Sequence, residues 1–285
     1  MTLRACIANG PLAQVAVLPM RLKAVSGHLS RELRVSGSWL LRSREHTNFT
    51  YDLTDRNLRH LAWWVSTVSG ASLVECEVWI NEAMANEELK AHIVQRTQQS
   101  PRRRLADPAF RIGRRAGWYA LIRALQPDHV VETGTDKGLG SVVIAAALLA
   151  NGRGRLTTID INAESGYLIS GRYSEVISRI LSDSVEALRA MNFGVDMFIH
   201  DSEHSPEYEY LEYTTVASKL NLGSVVLSDN SHATDELANW ARSTQRDFWY
   251  FQEFPKNHWS RGAGIGAASH RPRDDIREAT ADDGL

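Results

Sequence analysis

Cysteine is scarce in this chain: Cys6 and Cys76 are the two among 285 residues. Their spacing forms no metal-ligand motif and no disulfide framework, which excludes a thiol-stapled scaffold and fits a reducing compartment. Long apolar runs are missing too. Nothing approaches the ~18 residues that a membrane helix needs, and Gly10, Pro11 and Pro19 interrupt the mildly apolar start, which argues against a signal peptide. The expectation is a cytoplasmic protein with no membrane partner. Nor is there an excess of one charge, since 32 Lys and Arg meet 34 Asp and Glu for a net charge of −2. A chain this balanced, without a recognisable nucleic-acid module, is expected to bind no nucleic acid. The 43% of hydrophobic residues suffices for one large domain or two smaller ones.

Apolar residues first alternate in places. Met20, Leu22 and Ala24, then Leu33, Val35, Trp39 and Leu41, predict two or three short strands between Val15 and Leu41. The period then changes. Leu58, Leu61 and Val65 predict a helix that stops at Gly70, Ser72 to Glu75 has the form of a capping box, and Asn86 starts a third helix. Trp63, Trp64 and Trp79 at helical spacing read as core residues rather than a pocket lining. The Gln, Ser, Pro and Arg composition from Arg96 to Arg104 reads as a linker, dividing an N-terminal auxiliary module (1–105) from a second domain (106–270). The basic cluster there, with Arg111, Arg114 and Arg115, reads as a solvated face. Asp107-Pro108 predicts a helix start running to Leu125. The tail from Arg271, rich in Asp and Arg, reads as disordered.

The most informative stretch is Val130 to Ser141. Val130 and Val131 end a buried strand, Glu132 is its first polar residue, and Gly134, Gly138 and Gly140 form a loop that opens a helix through Leu148 to Asn151-Gly152. A glycine loop feeding a helix N-terminus suits a charged ligand. Strands then alternate with helices: Leu156 to Ile161, Val176 to Leu181, Val195 to Asp201, Ser224 to Asp229, Phe248 to Phe254 and Gly264 to Ser269. The intervening helices are Ala163 to Gly171, Val185 to Met191, Pro206 to Leu220 and Thr234 to Arg242. This order predicts a doubly wound, mostly parallel, seven-stranded α/β sheet. Ligands of such sheets bind beyond the carboxyl ends of the strands. Five acidic residues stand there in register: Glu132, Asp160, Asp183, Asp201 and Asp229. Helix capping accounts for one or two of them, but five are more than capping explains.

Glu132 followed by the G-x-x-x-G-x-G spacing of Gly134, Gly138 and Gly140 resembles motif I of the class I S-adenosylmethionine-dependent methyltransferases, over roughly Pro108 to His270. The resemblance implies that Glu132 and Gly134 border the methionine part of the cofactor and that Gly138 and Ser141 also belong to its site. Asp160 would accept from the ribose hydroxyls, Asp183 and Ser184 would meet the adenine, and Asp201 would close the site. Asp201 and the pair Asp229-Asn230 further resemble the metal site of catechol-type and antibiotic-sugar O-methyltransferases. Three oxygen ligands, two of them charged, suit Mg²⁺ or another hard divalent cation. His204, three residues after Asp201, would be the general base. His200 and His232 are nearby runners-up, His200 facing away from Asp201 along the strand, and Glu203 is a stand-in ligand.

The tryptophan and lysine that follow the first metal aspartate in catechol enzymes are absent here. This shifts the expected acceptor toward a bulkier hydroxylated natural product, such as a glycosylated metabolite. A catechol or phenol O-methyltransferase and a non-catalytic S-adenosylmethionine-binding protein are the alternatives. A nucleic-acid methyltransferase would need an Asn/Asp-Pro-Pro-Tyr segment where Asp201-Ser-Glu-His204 stands, and an iron hydroxylase would need His-x-Asp with a distant histidine. The sequence leaves room for a homo-oligomer.

Overall fold

The computed structural model describes residues 13–270; Cys6 and the tail from Arg271 lie outside the described residues. By contacts the chain parts into two units, residues up to Arg44 with Asn257–Ser260, and Glu45–Lys256 with the residues from Arg261. The boundary expected at 105 is therefore not where the compact units divide. In the first unit a short helical turn, Ala13–Ala16, precedes α1 (Leu18–Arg42), and Trp39 packs edge-on against Trp259 at 5.3 Å. The short strands expected here are a helix instead. Leu18, Leu22, Val25, Leu29 and Leu33 recur at steps of three and four, a helical period that outweighs the local alternation, and Pro19 sits in the first turn.

The second unit opens with α2 (Asp55–Ser69), α3 (Leu73–Met84) and α4 (Glu87–Gln99). Each starts on the cap its sequence implies. Thr54 accepts from Asn57 N–H, Ser72 and Glu75 form the reciprocal box, and Asn86 accepts from Leu89 N–H at 2.9 Å. Gly70 closes α2 in the left-handed region. Trp64 is buried and Trp79 packs against the core, while Trp63 is exposed.

Helix α5 (Arg115–Leu125) leads into β1 (His129–Thr133), α6 (Leu139–Asn151), β2 (Arg155–Asp160), β3 (Ile177–Leu181), α7 (Ser184–Ala190), β4 (Val195–His200), α8 (Pro206–Val216), β5 (Leu220–Ser228), α9 (Glu236–Ser243), β6 (Asp247–Gln252) and β7 (Gly264–Ser269). The sheet order is β3-β2-β1-β4-β5-β7-β6, with β7 antiparallel to β5 and β6. The predicted doubly wound seven-stranded sheet is thus present. Its order reverses between β1 and β4, so a crevice opens beyond Thr133 and His200.

Alternation along the strands divides the core. Val130, Met197, Ile199, Val225 and Leu227 pack with α2, α3, α5 and α6, whereas Val131, Phe198 and Val226 face α7, α8 and α9. Helices 55–99 share a core with the sheet, which is why no domain boundary follows them.

Two further expectations fail locally. The helix predicted from Asp107 begins at Arg115, because Gly113 has φ +48 with its Cβ position 2.8 Å from the Tyr51 carbonyl, a left-handed break that a helix cannot span. The helix predicted over Ala163 to Gly171 is a turn followed by a 3-10 segment, Gly171–Val176. Two of its N–H groups bond to the glycine loop rather than continuing a helical ladder, Gly166 N–H donating to the Asp136 carbonyl (2.6 Å) and Leu168 N–H to that of Lys137 (3.1 Å).

Candidate active site

Gly134 and Gly138 take φ of +86 and +85, and Gly138 is the N-cap of α6 with no side chain bonding the first turn. A Cβ on Gly134 would strike the Asp201 carbonyl, because Asp201 N–H donates to the Thr133 carbonyl at 2.9 Å and draws the two strand ends together. The glycine loop and Asp201 are thus one structure at the crevice. Asp160 fastens the same loop: one oxygen accepts from the N–H groups of Thr135 and Asp136, each at 3.0 Å. Glu132 is buried and accepts from Ser141 Oγ (2.5 Å) and Thr158 Oγ1 (2.7 Å). Burial pushes its carboxyl up to about 7, against the lowering effect of those two hydroxyls.

The other expected cofactor contacts are partly engaged within the chain. Asp183 is the N-cap of α7, accepting from Glu186 N–H (3.0 Å) and from the Tyr208 hydroxyl (2.8 Å); these bonds lower its pKa. Each oxygen keeps a lone pair for an exocyclic amine. Ser184 is turned inward to Glu212 and Tyr208. The edge thus carries a buried carboxyl at Glu132, a partly buried one at Asp201 and a strand-end carboxylate at Asp160.

The strand-end acids beyond β4 and β5 are held by arginines. Arg114 donates through Nε to Asp229 Oδ1 (2.5 Å) and through Nη2 to Oδ2, while Nη1 lies 3.3 Å from Glu253 Oε1. Arg115 Nη2 lies 3.8 Å from Asp201 Oδ2, its guanidinium over the Trp118 ring. The basic cluster expected to be solvated is therefore divided: Arg114 is buried and pairs with buried carboxylates. Glu253, just past β6, was not among the expected site residues; the strand-end rule applied to the sixth strand would have found it.

The two aspartates are driven apart in acidity. Burial would raise Asp229, but Arg114 outweighs it and holds the carboxyl well below the usual range. Asp201 is raised well above that range, first by burial and then by the Asp229 charge beside it.

Asp201 and Asp229 do come together, but the arrangement does not fit a cation. A guanidinium covers both oxygens of Asp229, and Asn230, the third expected ligand, lies with Nδ2 2.7 Å from His204 Nε2. Arg114 and Arg115 already supply two positive charges to three carboxyl groups. Glu203 is exposed, and His232 accepts from Gly264 N–H at 3.1 Å.

His204, the expected base, has Nε2 against Asn230 and Nδ1 buried toward Glu209 at 3.9 Å. His200 points to the face opposite Asp201, as its strand position implies. Its Nδ1 meets Glu212 at 2.6 Å and Nε2 lies 3.2 Å from Glu209. Burial would lower the His200 pKa, but the two carboxylates win and push it up to about 9. Glu212 also accepts from Thr133 Oγ1 and Ser202 Oγ, so four donors satisfy one buried carboxylate.

Among the described residues no helix is long and apolar enough to cross a membrane. No curated protein matches the sequence. Among solved structures, the chain is similar to the O-methyltransferase TomG from Streptomyces achromogenes, involved in tomaymycin synthesis and solved with SAM. Identity is 20% over 64% of this chain and 89% of that one, with a TM-score of 0.47. It is also similar to the SAH-bound Podospora anserina methyltransferase PaMTH1, 11% identical over 64% and 87%, with a TM-score of 0.46. The family described as a methyltransferase domain matches residues 131–231, from the middle of β1 to just past Asp229-Asn230. The matched segment is similar to a methyltransferase domain, and it lies on the doubly wound seven-stranded sheet described above.

Proposed function

We propose that the chain moves a methyl group from S-adenosylmethionine to a hydroxyl of a small natural product, the acceptor being a sugar hydroxyl of a glycosylated metabolite of the antibiotic class. The observation that carries this reading is the junction of donor loop and acid: Asp201 is bonded to Thr133 and packed on Gly134 while its carboxyl is held basic. S-adenosylmethionine, when bound, supplies a methyl group on a sulfonium, an electrophile that an alcohol oxygen attacks once its proton has an acceptor.

Asp201 is that acceptor. Arg114 keeps Asp229 ionised, and the ionised neighbour keeps Asp201 basic, so the pair divides the labour of anion and base. Arg115 steadies the Asp201 carboxylate. His204, the base that the resemblance implies, meets Glu209 and Asn230 instead. A magnesium ion on Asp201, Asp229 and Asn230 would have to displace Arg114, so the proposed proton transfer uses the side chains alone.

The test is methyl transfer from labelled S-adenosylmethionine to a panel of glycosylated and phenolic acceptors by protein dialysed into magnesium-free buffer. Transfer to a sugar hydroxyl, unchanged by added Mg²⁺, is expected. Transfer to phenols alone moves the acceptor to the catechol class, strict dependence on Mg²⁺ overturns Asp201 as sole acceptor, and cofactor binding without transfer to any member overturns the enzyme reading.

A further inference from the structure

On the face of β4 opposite Asp201, three side chains converge. Among the described residues, His200, His204 and Glu209 form a group whose ligand atoms all lie within 4.8 Å of one another. His200 comes from the last position of β4, His204 from the loop that follows, and Glu209 from the first turn of α8. His200 and Glu209 are fully buried. Three atoms, His200 Nε2, His204 Nδ1 and Glu209 Oε1, are buried without a hydrogen-bond partner, although buried polar atoms are as a rule satisfied.

We infer that His200, His204 and Glu209 form a binding site for a divalent transition metal of the zinc type, separate from the Asp201–Asp229 pair. Ligands at about 2.0–2.1 Å from a tetrahedral ion lie roughly 3.3 Å from one another. His200 Nε2 and Glu209 Oε1 are 3.2 Å apart, and His204 Nδ1 is 3.9 Å from the same oxygen. Two imidazoles and one carboxylate suit a borderline ion better than magnesium, and they leave a fourth position for water.

The surroundings are those of a ligating histidine. His200 Nδ1 is 2.6 Å from Glu212, whose four donors fix it, so Nδ1–H donates to the carboxylate and Nε2 keeps a lone pair for the ion. The Oε2 atom of Glu209 is held by the Thr234 hydroxyl, leaving Oε1 to the site. Asn230, with its amide turned to offer the oxygen to His204 Nε2–H, leaves Nδ1 for the ion in the same way. A proton on His200 satisfies Glu209 but leaves His204 Nδ1 facing that same oxygen; an ion satisfies all three. The metal would tie β4 to α8 and brace the loop 201–205 that carries Asp201.

Untagged protein, stripped with a chelator and dialysed, is titrated with Zn²⁺ in a calorimeter, and its melting temperature is followed with and without the ion. One zinc per chain and a rise in melting temperature are expected. His204→Ala, at the half-exposed ligand, and Glu209→Gln should each lose at least about 10-fold in affinity, comparable to or more than the loss of an outer-shell partner, while the exposed Glu203→Gln retains it. If the variants fold poorly, Co²⁺ loaded into the unaltered chain reports instead, and visible bands of a four-coordinate nitrogen and oxygen site are expected. Absence of stoichiometric binding, equal binding in His204→Ala, or the spectrum of a hexa-aqua-like ion overturns the site.

Discussion

Arg114 closes on both carboxylate oxygens of Asp229 and reaches Glu253 with its remaining amino group. Two acids from the carboxyl ends of β5 and β6 are thereby tied to the residue just before α5. Pairing of this kind is strong once formed, but it leaves charge exposed to a low-dielectric interior when one partner is removed. The ion pair also favours the anionic form of Asp229, and so makes Asp201 the base of the proposed reaction.

Arg114→Leu strands two buried carboxylates, so it should cost about 3–5 kcal/mol of stability. Adding Asp229→Asn to that variant removes one of the stranded charges and should recover part of the loss. Urea denaturation of the single and double variants reads both numbers; a double variant less stable than the single would show that Arg114 acts by packing alone.

Asp201→Asn removes the proposed proton acceptor and should lower kcat by about 10²–10⁴-fold. The pH profile of the unaltered chain follows from the sign of the shift. Below its pKa the carboxyl holds a proton and accepts none, so kcat should rise with pH across a midpoint above the usual carboxylate range. Full kcat in the Asp201→Asn variant would remove Asp201 from the reaction.

Glu132 is raised from 4.5 to about 7 by burial. Between those values the folded chain holds a proton that the unfolded chain has lost, so stability falls as pH rises through that window. Below it both states are protonated and the residue contributes no pH dependence. Glu132→Gln avoids the buried charge and should be more stable than the parent by on the order of 3 kcal/mol above pH 7, and about equal to it near pH 4. Melting curves at several pH values test this, and an advantage that does not grow with pH would refute it.

Gly134→Ala sets a Cβ against the Asp201 carbonyl at a φ that L side chains rarely adopt. Strain of about 1–3 kcal/mol is expected, together with weaker cofactor binding as the loop moves off β4. Gly152→Ala is the control, because Gly152 shares the positive φ but has open space around it; equal effects at both would assign the loss at Gly134 to φ alone.

Much of the sheet was legible from residues. The short apolar runs of Val130-Val131, Met197 to Ile199 and Val225 to Leu227, spaced by helix-length segments, specify parallel strands, and the Ser72 and Asn86 caps announce their helices. Leu22, Val25, Leu29 and Leu33 misled because a few alternating neighbours obscured a helical period. The segment Ala163 to Gly171 misled for another reason: two of its N–H groups bond to Asp136 and Lys137, partners that no local pattern reveals.

The sequence by itself determined the glycine-loop half of the candidate site, since a glycine loop after a buried strand and acids at successive strand ends follow from chain order and the rule that sheets bind at their carboxyl edge. Only the tertiary structure decided what the acids do. Whether Asp229 meets a cation or a guanidinium depends on where Arg114, 115 residues earlier in the chain, is brought by the packing of α5, and whether His204 serves Asp201 or Glu209 depends on which side of β4 the loop returns. Electrostatic partners are set by proximity in space, and in a buried site proximity determines charge, acidity and role together.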